Sequence, residues 1–179
     1  MGVTSTNLIQ GPATLYFAPF GTAEPLTVAA VPAVDWVDLG GTKDGVEMAI
    51  ADEYAVLEVD QIIYEIGRTR TKRMLTVKTN LAEATLENLA RSINNTAPAA
   101  NVLEGDDGVA AFIPSYGAIL LDGLAPGGFR RRAIFRKVLQ TDAVASSYKK
   151  DGQTLIPVTF AGHWVSTSIR PFKIEDAVA

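Results

Sequence analysis

The sequence predicts a mainly β fold: a β-sandwich or partly closed barrel with one flanking α-helix at about residues 80–93 and a long projecting loop at about 40–52. Three observations lead there. Short runs of β-branched and aromatic residues recur along the chain, and clusters rich in Gly, Pro, Asn and Asp separate them. Only one stretch has the apolar spacing of a helix. Many short strands with few helices are the pattern of sandwiches and barrels. At 179 residues the chain fits a single domain, 1–179. A chain of this size buries about 70% of its unfolded surface, so it needs no covalent staples.

Taken in order, residues 12–18 are aromatic and β-prone and end at Pro19-Phe20-Gly21, an opening strand and turn. Residues 22–34 are rich in Ala, Val and Pro without helical period and read as an extended connector. Asp35-Trp36-Val37-Asp38-Leu39 alternates and stops at Gly40-Gly41, and Lys43-Asp44-Gly45 is a further turn signal. Nothing from 40 to 52 suggests a buried element, which makes this the long loop, and loops of that length are usually functional.

Residues 53–66 and 72–80 form the clearest strand pair, joined by a polar turn from Gly67 to Thr71. Leu57, Val59 and Ile63 share one face of the first strand, with Glu58 and Asp60 on the other. In the return strand Leu75 and Val77 oppose Thr76 and Lys78. The helix follows, with Asn80 as its N-cap and Glu83 three residues on as in a capping box. Leu81, Ala82, Leu86, Leu89, Ala90 and Ile93 make its apolar stripe, and Asn94-Asn95 with Pro98 end it. Strand-like runs return at 109–113, 118–121, 131–139 and 154–165. Pro157 places an edge or a bulge in the last of them.

Reactive chemistry is scarce. Cysteine is absent, which excludes a thiol nucleophile and Cys-ligated metal, and His163 is the only histidine. Gly40-Gly41-Thr42-Lys43-Asp44-Gly45 lacks the spacing of a phosphate-binding loop, and Ser115 lies in no nucleophile elbow. Glu104-Gly105-Asp106-Asp107-Gly108 lacks the spaced ligands of a calcium loop. Glu58 and Asp60 are close enough to suit a carboxylate pair, but neighbouring acids on a strand are more often a solvated face. The expectation is a non-enzymatic protein without cofactor or metal. No run reaches the roughly 18 to 20 apolar residues of a membrane helix, and the N-terminus lacks signal-peptide features, so synthesis in a cytoplasm is expected.

The net charge of −4 conceals an oscillation. Residues 21–66 carry −9, 67–79 carry +5, 80–128 carry −5 and 129–150 carry +6. Compact basic segments between acidic ones can meet acidic surfaces on further copies of the same chain. They could also bind nucleic acid, although a dedicated binder normally carries a net positive field.

The order of four segments carries a specific resemblance. Gly11-Pro12-Ala13-Thr14-Leu15-Tyr16-Phe17-Ala18-Pro19 leads to Asp35-Trp36-Val37-Asp38-Leu39-Gly40-Gly41-Thr42-Lys43-Asp44-Gly45. Val59-Asp60-Gln61 and the basic turn follow, then Asn80-Leu81-Ala82-Glu83-Ala84-Thr85-Leu86. From about residue 11 to 93 this resembles the major tail (tail tube) proteins of long-tailed, non-contractile bacteriophages. The resemblance implies a tail tube-like fold in hexameric rings, stacked into a hollow tube through which double-stranded DNA passes without specific binding. It also implies a long loop gripping the next ring and a place in the virion tail. Its partners would be further copies, the tape measure protein, and the tail terminator and distal tail proteins. Tube-forming proteins also occur in tailocins, gene transfer agents and type VI secretion systems.

On that reading Glu58, Asp60, Thr76 and Lys78 line the lumen. Arg68, Arg70, Lys72 and Arg73 form a rim facing Asp35, Asp38, Asp44 or Glu47 of an adjacent ring. Two other classes compete. A nucleic-acid-binding β-domain would use Arg130, Arg131, Arg132 and Arg136 with Phe129 and Phe135 as stacking platforms. A carbohydrate-binding sandwich would use Trp36 or Trp164, and solvent-exposed tryptophans would favour it.

Overall fold

The computed structural model describes residues 2–107 and 112–177. Its strands are β1 (Thr14–Pro19), β2 (Val37–Asp38), β3 (Thr42–Leu57), β4 (Gly67–Leu81), β5 (Gly117–Leu124), β6 (Arg130–Gln140), β7 (Ile156–Gly162) and β8 (Phe172–Asp176), with α1 at Leu86–Ser92. The antiparallel order is β2-β1-β5-β6-β7-β4-β3, and β8 pairs with β6. One edge of β6 serves two partners: β8 lies against Arg131–Phe135 and β7 against Val138–Gln140. The sheet therefore forks there, and β2, β3 and β8 remain as its open edges. The fold is mainly β with one flanking helix among the described residues, and the sheet does not close into a barrel.

Alternation along the strands builds two clusters. Leu15, Leu75, Val77, Ile119, Phe135 and Phe160 form the main core with Leu39, Leu81, Ile156 and Val158. Ala18, Ala118, Leu120 and Ile134 point the other way and pack with Trp36. β5 and β6 are thus covered on both faces, which explains the unbroken apolar run at 118–121. The connector at 22–34 is the second cover. Trp36 Nε1 donates to Ala23 O at 2.9 Å, and Arg132 donates to Thr27 O and Ala30 O at 3.1 and 3.0 Å. Pro157 lies where β6 has ended, so that part of β7 pairs with β4 alone and no ladder donor is lost to the ring.

Several sequence expectations need correction. Residues 40–52 are not a projecting loop: from Thr42 they are the first part of the 16-residue edge strand β3. The turn signal at Asp44-Gly45 is an irregularity within that strand, with φ of 66° and 81°. Val46 and Met48 then pack on the core with ordinary strand alternation. The first hairpin strand ends at Leu57, not 66, because beyond it no strand lies alongside. The basic run Arg68–Arg73 is no turn but part of β4.

The helix begins later than 80. β4 continues through Asn80 to the buried Leu81, and Thr85 is the N-cap, its hydroxyl accepting from Asn88 N at 3.2 Å. Glu83 instead accepts from Gly41 N at 3.0 Å across the sheet end, its carboxylate seated against Gly40, whose φ is 80°. Of the expected stripe on α1, Leu89 and Ala90 pack inward beside the buried Asn88 and Ser92, whereas Leu86 and Ile93 stay exposed. Asn88 is buried because its amide donates to Leu39 O and Glu83 O, both at 3.0 Å. The short strand β8 was not expected, and most of the run 109–113 lies outside the described residues.

Candidate functional site

The β3–β4 hairpin separates into a body portion and an arm. β4 pairs with β7 only as far as Leu75 opposite Gly162. Beyond that point β3 and β4 have only each other, through Ala51↔Met74 to Leu57↔Gly67. Seven residues at about 3.4 Å each carry this ribbon roughly 24 Å from the body before the tip at 58–66. An isolated two-stranded hairpin is marginal in water, so the arm needs other support.

Part of that support is ionic. Arg73 grips Asp52 with Nε and Nη2 at 2.6 and 2.8 Å, and Arg70 Nε reaches the same carboxylate at 3.0 Å. Lys72 meets Glu53 at 3.7 Å, and Arg68 pairs with Glu65 at the tip. The hydrogen bond from Arg73 outweighs the opposing desolvation and, with the Arg70 and Arg73 charges added, holds the Asp52 carboxyl pKa at about 2. These are exposed pairs, each worth about 0–1 kcal/mol, and they stiffen the ribbon without burying it.

Among the described residues no strand packs against the tip. Ile63 is 100% exposed and Tyr64 80%, and Leu57, Val59, Ile62 and Ile66 are each about half exposed. The whole chain presents 11847 Å², against about 8,400 Å² for a compact monomer of 19.1 kDa.

The residues singled out from sequence fall into separate places. Glu58 and Asp60 sit in the tip loop, not on a strand face. Thr76 and Lys78 lie on the body portion of β4, opposite in sense to the buried Leu75 and Val77, so the four do not form one surface. Asp35 precedes Trp36, and Asp38 caps Gly40 N at 2.8 Å. Asp44 accepts weakly from Asn80 at 3.4 Å, and Glu47 stands opposite Lys78 in the ladder. Within the chain the partners of Arg68, Arg70, Lys72 and Arg73 are Glu65, Asp52 and Glu53, none of which sequence reasoning selected. A longer β3 was the missing signal: with Thr42 as its start, the acids at 52 and 53 fall opposite the bases at 73 and 72.

The basic strand of the nucleic-acid alternative is largely engaged. Arg132 is 2% exposed and makes a bidentate pair with Asp122 at 2.6 and 2.7 Å. Arg131 pairs with Asp176 at 2.6 Å, Arg136 pairs with Glu24, and Phe135 is in the core. Of the two tryptophans, Trp36 is buried and Trp164 is 66% exposed. The acidic loop at 104–107 is laced by Asn95, which donates to Glu104 O at 2.6 Å and accepts from Asp106 N at 2.8 Å. No cluster of three metal-ligating side chains exists among the described residues.

Two of the clefts on the body border β5. One, about 390 Å³, lies between α1 and the sheet and is lined by Phe17, Arg91, Tyr116, Gln140 and Phe160 among others. Burial pushes the Arg91 guanidinium pKa down, and the group lies over Phe17 at 5.9 Å. Its polar lining also includes Glu87, Thr96, Asp106 and Ser115. The other, about 370 Å³, is apolar, walled by Phe20, Trp36, Ala118, Ile134, Val165 and Ile169, with the Arg136–Glu24 pair at its rim. Lys137 lies beside it, 5.5 Å from the Phe20 ring centre and 4.3 Å from that of Tyr116. His163 stands edge-on to Tyr116 at 5.3 Å, and burial, aided by the Lys137 charge, lowers its pKa.

No protein-family model matches this sequence, and no curated protein matches it. Among solved structures, the chain is similar to one in the "Cryo-EM structure of the anti-feeding prophage (AFP) baseplate, 6-fold symmetrised". The identity is 9% and the TM-score 0.47, over 98% of this chain and 97% of that one. At that score the likeness carries no functional conclusion.

Proposed function

We propose that this protein is a structural, non-enzymatic subunit of a phage-type tail tube, assembling with copies of itself into stacked hexameric rings around a conduit for DNA. The observation that carries the reading is the arm: a two-stranded ribbon whose apolar tip side chains are about half exposed or more. Such a feature is a liability in a solitary protein and an adhesive element in a polymer. The open ends of the sheet support the same reading. β3 offers a 16-residue edge, and a neighbouring strand is what would satisfy its free backbone groups.

The excess surface of about 3,400 Å² compares with roughly 800 Å² per partner at a standard interface, enough for several contacts per subunit. Thr76 and Lys78, on the body face turned from the core, remain the candidates for a lumen lining. Glu58 and Asp60 are reassigned to contacts between copies. By the sequence resemblance, the tape measure, terminator and distal tail proteins would be its other partners and the virion tail its location.

Negative-stain microscopy of the purified protein over a rising concentration series tests this directly. Rings or hollow tubes are expected. Monodisperse monomers at every concentration would overturn the proposal.

A further inference from the structure

We infer that the apolar tip of the arm seats in the Phe20–Trp36–Ile134–Ile169 cleft of a second copy. Glu58 and Asp60 of one chain would then meet Lys137 and Arg170 of the other. The inference deepens the assembly reading above by naming a donor and an acceptor surface.

The two surfaces fit in polarity. The tip offers Ile62, Ile63 and Tyr64, and the cleft is walled by aromatic and aliphatic side chains. They fit in charge as well. The arm's other acids, Asp52, Glu53 and Glu65, are matched by its own bases, which leaves Glu58 and Asp60 with no ionic partner among the described residues. At the cleft, Arg136 is matched by Glu24, whereas Lys137 has no carboxylate partner among the described residues and its ammonium lies over the Phe20 and Tyr116 rings. The Arg170 guanidinium has no carboxylate partner among the described residues, and the Arg170 carbonyl accepts from Arg136 at 2.7 Å, which places residue 170 at the cleft rim. Two unmatched acids beside an apolar tip thus face two unmatched bases beside an apolar cleft.

The arm belongs to the β4–β3 end of the sheet, while the cleft is built on β5 and β6 beneath the connector. Donor and acceptor are therefore different patches of one molecule. Passed from copy to copy, such a contact generates closed rings or open filaments; exchanged reciprocally, it would close a two-fold pair.

The absence of cysteine makes the test clean. Ile63→Cys and Ile169→Cys proteins, mixed under mild oxidation, should give a disulfide-linked heterodimer. It should be enriched roughly tenfold or more over a mixture of Ile63→Cys with Lys150→Cys, Lys150 being exposed and away from the cleft walls. Glu58→Lys with Asp60→Lys should reduce the link, and adding Lys137→Glu with Arg170→Glu in the acceptor should restore it. Heterodimer no greater than the control overturns this inference even if tubes form. A specific link in a protein that never forms rings or tubes would uphold the contact and overturn the tube instead.

Discussion

Removing the Asp122 carboxylate leaves a guanidinium stranded inside the protein. Arg132 is 2% exposed, its bidentate partner Asp122 is 10% exposed, and the same guanidinium donates to Thr27 O and Ala30 O. Breaking a buried pair from one side costs about 3–5 kcal/mol, because the surviving charge keeps its desolvation penalty. Asp122→Ala should therefore lower stability by that amount. At about 2–4 °C per kcal/mol for a domain of this size, Tm should fall by roughly 6–20 °C. Urea unfolding followed by fluorescence measures it well, since Trp36 is buried under the connector that Arg132 pins. Asp122→Leu combined with Arg132→Met should recover most of the loss while leaving the connector's carbonyls without their donor. Limited proteolysis should then cut the double variant within 22–34. A loss below about 1 kcal/mol for Asp122→Ala would refute the reasoning, because that is the scale of a solvated pair.

Thr85→Ala should cost about 1 kcal/mol by removing the true helix cap, and Asn80→Ala should leave α1 helicity unchanged by circular dichroism. Asp52 is depressed from 3.8 to about 2, so its contribution is complete above pH 4 and is lost as pH falls through 2. Carboxyl titration by NMR should show it still ionised well below 3.8, and Arg73→Ala should bring its pKa back up. His163 is depressed below 6.5, so the unfolded chain binds its proton first. Stability should be full above that pH and decline as pH falls below it, and His163→Phe should flatten that limb of the pH–Tm curve.

Legibility tracked burial. Leu75 and Val77 alternate against Thr76 and Lys78 because one face is packed, and that pattern could be read directly. The two-sided burial of β5 left the run 118–121 that no charge interrupts, whereas β6 keeps only Ala133, Ile134 and Phe135 between its basic residues before Val138 and Leu139. β3 was hidden for the opposite reason. Its edge position tolerates Lys43, Asp44 and Glu47, and its irregularity at Asp44-Gly45 imitates a turn. Arg130, Arg131 and Arg132 look alike as letters, yet only Arg132 is buried, since only its register brings Asp122 alongside within a covered face. The ion pairs of the arm depended likewise on strand extents that local composition does not encode. Val59, Ile62 and Ile63 have strand-forming side chains but no neighbouring strand, so they form the tip instead.

On the proposed function, the arm completes itself on other copies of the chain. Comparing wild type with Ile63→Asp by sedimentation velocity and negative-stain microscopy at matched concentrations tests it most directly. Ile63 is fully exposed, so the substitution should leave Tm unchanged while the rings and tubes of the wild type disappear. Wild-type assembly that survives the added charge intact, or a wild type that sediments only as a monomer at every concentration, would contradict the account.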